Sequence, residues 1–102
     1  MTFGLLNRLT TKPGKRDEVV QHLVESGRVF DANDACLLYL VTSPTDDPTT
    51  IWVVDLWTSA EAHTEALRDP SLRPHIDATI PLLEGMPEQT PLEVRGGKVP
   101  GI

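Results

Sequence analysis

The run Ile51-Trp52-Val53-Val54-Asp55-Leu56-Trp57 is apolar at every position but one. Side chains of a strand alternate between two faces, so a strand built from this run is apolar on both. Such a strand must be covered on both sides. The residues that follow, Thr58 to Arg68, have the pattern of an amphipathic helix that turns straight back, so one cover comes from the chain's own helices. With 102 residues there is little chain left for the other side. The simplest second cover is another copy of the same sheet.

The remaining elements follow from periodicity. Thr2 to Thr11 reads as a first strand, with Phe3, Leu5, Asn7 and Leu9 on one face. Thr11-Lys12-Pro13-Gly14 is a turn. Lys15 to Phe30 reads as a helix with Val19, Val20, Leu23, Val24 and Phe30 along its buried stripe. Ala35 to Ser43 is a second strand, with Cys36, Leu38 and Leu40 on one face and Leu37, Tyr39 and Val41 on the other. Thr50 to Trp57 is the third. Thr58 and Glu61 match a capping box that opens the second helix. Asp69-Pro70-Ser71 breaks it, and Leu72 to Ile80 makes a third helix with Leu72, Ile76, Ile80 and Leu83 as its buried edge. Leu92 to Val99 reads as the last strand, with Pro100-Gly101-Ile102 as a tail.

The order β-α-β-β-α-α-β predicts an α+β, ferredoxin-like antiparallel sheet with helices on one face. The exposed apolar face then predicts a two-fold homodimer through the sheet faces, a dimeric α/β barrel.

Charge and cysteine content narrow the function. A net charge of -6 is the wrong sign for neutralising phosphates or binding an anionic membrane surface, so neither nucleic acid nor membrane is an expected partner. No apolar run reaches the roughly 18 residues a membrane span needs. The first residues show no charged segment ahead of an apolar core, so no secretory leader is expected. The one cysteine, Cys36, rules out an internal disulfide and fits a cytoplasmic setting. There is no GxGxxG or GxxxxGK[ST] fingerprint for a nucleotide cofactor. His22, His63 and His75 stand apart in the sequence without the spacing of a metal site.

Three stretches carry a family resemblance: Lys12-Pro13-Gly14-Lys15-Arg16-Asp17-Glu18, Ala35-Cys36-Leu37-Leu38-Tyr39, and Ile51 through His63. Together with Glu84-Gly85 and Gly96-Gly97 they resemble the antibiotic-biosynthesis monooxygenase family, small dimeric α+β-barrel proteins that include cofactor-free quinol monooxygenases. The resemblance implies a monooxygenase that needs O₂ and no cofactor. There are two departures. Asp55-Leu56-Trp57 stands where the family usually has Glu-x-Trp, and Ala66 stands where many members carry a histidine, with His63 about one turn earlier. Asn7-Arg8-Leu9-Thr10 also resembles the first strand of the heme-degrading branch, which makes heme binding and degradation one alternative; the other is a dimer that binds a ligand without catalysis, since the same fold can carry no chemistry at all. In that branch His75 would be the ligand, though it is one residue out of register.

The residues themselves point to a pocket. Asn7 is an amide among apolar neighbours, and a buried amide needs partners. It either satisfies the fold or donates to a substrate oxygen. Asp55 shares a face with Trp57 and either pairs with Arg8 or Arg95 or lines the cavity. The Trp57 ring can wall an aromatic site, while Trp52 packs in the dimer. His75 is the acid/base candidate. His63 and His22 have the bland alternative of a surface or capping role. Asn7, His75 and Trp57 are therefore the expected catalytic residues, with Tyr39, Asp55, His63, Leu72 and Ile76 as the expected lining for a small aromatic substrate.

Overall fold

A computed structural model describes residues 2–98. Four strands, β1 (Phe3–Thr10), β2 (Cys36–Thr42), β3 (Thr50–Trp57) and β4 (Glu88–Glu93), form one antiparallel sheet in the order β2-β3-β1-β4. Helix α1 (Arg16–Arg28) crosses from β1 to β2. Helices α2 (Ala60–Ala66) and α3 (Arg73–Thr79), with 3₁₀ turns at Pro70–Leu72 and Ile80–Leu82, lead from β3 to β4. This is the expected α+β, ferredoxin-like arrangement.

The most apolar strand, β3, lies inside the sheet. Ile51, Val53, Asp55 and Trp57 point under the helices and are all less than 5% exposed. In register beside them on β1 are Leu9, Asn7, Leu5 and Phe3. The core has two parts on this face. One gathers Leu9, Val19, Ile51, Val53 and Leu83; the other gathers Phe30, Trp57, Ala66 and Leu72. The opposite face carries Leu6, Leu38, Leu40, Trp52, Val54 and Leu56. No helix among the described residues covers it, and Leu40 is 48% exposed.

Several local expectations are corrected. Strand β2 has a bulge between Cys36 and Leu38. The extra residue brings Cys36 and Tyr39 to the same, helix-covered face, whereas strict alternation separates them. The cap of α2 is Ser59, not Thr58. The Thr58 N–H still belongs to the sheet and donates to Ala35 O at 2.9 Å, so the chain stays extended for one more residue. Ser59 Oγ then accepts from the Ala62 N–H at 3.0 Å. The last strand begins at Glu88 and ends at Glu93, earlier than the expected Leu92 to Val99. Pro91 is tolerated because β4 is an edge strand, needing ladder bonds on one side only. Gly96 and Gly97, at φ 159° and 125°, lie beyond its end. The expected end of that strand at Val99, and the tail Pro100 to Ile102, lie outside the described residues. Val24, Ile76 and Ile80 are 39–50% exposed, because each helix buries only the narrow stripe that meets the sheet.

Helix α1 approaches the sheet at Gly27. A Cβ there would stand 2.6 Å from Tyr39 Cδ1. The missing side chain lets the Tyr39 ring lie under the helix, where its hydroxyl donates to Leu23 O at 3.2 Å.

Candidate active site

The two halves of the core meet around a hollow of about 230 Å³. Its walls are apolar, drawn from Leu9, Leu23, Phe30, Val53, Trp57 and Leu72. Besides Ser26, Tyr39 and Gln89, three polar residues of the lining gather around one carboxylate: Asn7, Asp55 and His63. The exposed members of the lining, Leu67, Ile76 and Gln89, mark its open side.

Asp55 is the centre of this arrangement. It is 4% exposed, and a buried carboxylate is unfavourable without hydrogen-bond partners. Two donors supply them. Asn7 faces Val53 across the ladder, diagonal to Asp55, and its Nδ2 donates to Asp55 Oδ1 at 2.8 Å and to Val53 O at 3.1 Å. Trp57 lies two residues along the same face of β3, and its Nε1 donates to Asp55 Oδ2 at 2.7 Å. An ionised carboxylate only accepts, so both donors favour the charged form. Burial pushes the Asp55 carboxyl above the usual carboxylate range. The hydrogen bonds from Trp57 and Asn7, and the nearby His63, act against that rise.

His63 reaches the same carboxylate from α2. Its Nε2 is 3.8 Å from Asp55 Oδ2. The Ser59 cap fixes where α2 starts, and one turn later the imidazole falls back over the end of β3. There its ring meets Trp57 edge-on at 5.4 Å between centroids and tilts against Phe3 at 5.9 Å.

Asn7, Tyr39, Asp55, Trp57, His63, Leu72 and Ile76, all singled out in the sequence, line this one hollow. Their chemistry differs in detail from expectation. Both N–H groups of the Asn7 amide are taken by Asp55 and Val53, so they are not aimed at a substrate oxygen. Asp55 pairs with neither Arg8 nor Arg95. Arg8 lies on the other face of the sheet, 3.9 Å from Glu88 and over the Trp52 ring. The Tyr39 hydroxyl is engaged by α1, and burial, followed by the charge of Asp55, makes it a much weaker acid than a free phenol. His75 lines a neighbouring hollow of about 170 Å³ between α1 and α3. There its Nδ1 is 3.7 Å from Glu25 Oε2, too far for a hydrogen bond. The Asp55–His63 pair is the feature the sequence did not disclose. Its members are eight residues apart on different elements, and the clues were Asp55 on the Trp57 face and a histidine one turn into the helix that follows.

Heme fits these residues poorly. Its expected ligand, His75, belongs to the neighbouring hollow, and the site beside Asn7 and Trp57 presents a buried acid instead.

Residues 2–78 match the model of the antibiotic biosynthesis monooxygenase family. The chain belongs to this family. A candidate antibiotic biosynthesis monooxygenase from Chloroflexus aurantiacus is 30% identical, with a TM-score of 0.81 over 97% of this chain and 99% of that one. Another from Caulobacter crescentus is 21% identical over 93% of this chain and 91% of that one, with a TM-score of 0.84. SnoaB, a cofactor-independent oxygenase from Streptomyces nogalater, is 20% identical over 94% and 95% of the two chains, with a TM-score of 0.81. No curated protein matches the chain. No helix among the described residues is long and apolar enough to cross a membrane.

Proposed function

We propose that the protein is a cofactor-independent monooxygenase that oxidises a small phenolic or quinol-type aromatic with O₂. The observation that carries this reading is a histidine backed by a buried carboxylate at the polar end of an otherwise apolar, ring-sized hollow. The likeness to SnoaB supports it.

His63 is the general base. A neutral imidazole keeps one ring nitrogen free to accept a proton, so it can take a phenolic proton there. Asp55 stabilises the imidazolium that results. Asn7 and Trp57 hold Asp55 in place and are positioning residues. Leu72, Ile76 and the Tyr39 ring grip the aromatic. His75, in its own hollow, takes no part.

Loss of the proton leaves an anion delocalised onto a ring carbon bearing hydrogen. That carbanion gives one electron to O₂, and the radical pair combines to form a carbon–oxygen bond. The peroxide anion takes the proton back from the His63 imidazolium, and the resulting hydroperoxide loses water to leave a carbonyl. One oxygen atom ends in the product and the other in water, and all the electrons come from the substrate. The apolar walls keep water away from the anion, and the fixed dipoles around Asp55 take the place of solvent.

The active form in this reading is a homodimer in which two sheets meet through the Trp52, Val54 and Leu40 face, and its setting is the cytoplasm. The test is oxygen uptake by the pure, metal-free protein with a panel of quinols and anthrone-like phenols. Turnover that depends on His63 and Asp55 is expected. Turnover unchanged in His63→Ala would overturn the assignment.

A further inference from the structure

A second cluster lies outside the proposed active site. His22 and Glu25 are three residues apart on α1, a spacing that puts both on one helix face. His75 faces them from α3. Each residue offers one ligand atom, and the three atoms lie within 4.8 Å of one another. The side chains do not satisfy each other. The His75 Nδ1 to Glu25 Oε2 distance is 3.7 Å, and the His22 and His75 rings are tilted with centroids 5.8 Å apart. His22 Nδ1 is closed off from solvent and has no hydrogen-bond partner among the described residues.

We propose that His22, Glu25 and His75 form a binding site for a divalent transition-metal ion of the Zn²⁺ type. Two imidazoles and one carboxylate are a ligand set suited to such ions, and three protein ligands leave one position for water. Zn–N and Zn–O bonds of about 2.0–2.2 Å require the ligand atoms to draw closer than they stand here. The side chains of His75 and Glu25 are 25% and 41% exposed, so they have room to rotate inward. The net charge of -6 favours a cation. The sequence hides the site because its ligands come from two helices separated by the whole of β2 and β3.

The ion would tie α3 to α1. Helix α3 has only seven residues, and Ile76, next to His75, lines both hollows. A metal at this point holds the roof of the aromatic hollow against the sheet without touching the reacting groups. The proposal stands apart from the monooxygenase reading, since it concerns binding and rigidity alone.

The test uses the full chain without a histidine tag, stripped with chelator. Zn²⁺ is titrated by calorimetry, Co²⁺ by visible absorption, and thermal melting is recorded with and without Zn²⁺. One equivalent bound and a rise in Tm are expected. His22→Ala, Glu25→Gln and His75→Ala should each weaken binding by roughly 10–100-fold or more, since even outer-shell changes have that effect. His63→Ala should leave binding unchanged. In wild-type protein, Zn²⁺ should shift the imidazole NMR signals of His22 and His75 but not those of His63, which keeps the test valid if a variant misfolds. The absence of binding, binding retained in the three variants, or shifts confined to His63 would each overturn the proposal.

Discussion

The imidazole of His63 stands 3.8 Å from the carboxylate of Asp55, and that carboxylate is held on its other sides by Asn7 and Trp57. The three groups act as a bracket. Two neutral donors fix the acid, and the acid in turn faces the base. The gap between His63 and Asp55 is longer than a hydrogen bond. Such contacts often tighten only when substrate closes the site, and the short helix α2 that carries His63 needs to move little to do so.

Removal of the base should abolish proton transfer while sparing the fold. His63→Ala is expected to lower kcat by roughly 10²–10⁴, the usual range for one general base. Oxygen-uptake rates and the far-UV circular dichroism spectrum check the two halves of this statement. A fall in rate with an altered spectrum would assign His63 a packing role against Trp57 and Phe3 instead.

Asp55 should leave a mark on stability against pH. Its folded pKa is raised above the ordinary value of 3.8, so the folded state holds this proton more tightly than the unfolded chain. The resulting stabilisation is complete below the ordinary value and is lost as pH rises through it and on through the raised folded value. The Tm of wild type minus that of Asp55→Asn should therefore fall across this acid window and level off above it. A difference that rises instead would mean that the donors Asn7 and Trp57 outweigh burial.

Gly27→Ala tests the approach of α1 to the sheet. Helix propensity alone favours alanine by about 1 kcal/mol. The added Cβ, however, would stand 2.6 and 2.7 Å from two atoms of the Tyr39 ring. Overpacking of this kind costs about 1–3 kcal/mol, so net destabilisation is expected in urea melts. The Tyr39 to Leu23 hydrogen bond should weaken with it.

Val54→Lys tests the uncovered sheet face. Val54 lies beside Leu6 and Leu40 in the middle of that face. A lysine is readily solvated there in a single chain but would be buried without a partner between two sheets. Sedimentation should show a dimer for wild type and a monomer for the variant, with little change in helix content.

Much of the architecture can be read from residue order. The doubly apolar run Ile51 to Trp57 dictated a strand apolar on both faces, and the alternation in Phe3 to Leu9 dictated another, while their order in the sheet came only with the structure. The helices followed from their periodic stripes. These signals are local, because alternation and helical repeat depend only on backbone geometry. The bulge at Cys36 and Leu38 was hidden, since one unpaired residue is set by the strand alongside and leaves no mark in the alternation.

The sequence by itself determined that Asp55 and Trp57 share one face of a strand, that Asn7 sits among apolar neighbours on another, and that polar groups buried there need partners. Only the tertiary structure decided what those partners are. Asn7 and Trp57 both point their hydrogens at Asp55, His63 rather than His75 completes the group, and His75 joins His22 and Glu25 across a helix–helix contact. Which side chain meets which depends on how α2 and α3 dock onto the sheet. Docking is a long-range property of packed surfaces, and neither strand alternation nor helical repeat encodes it.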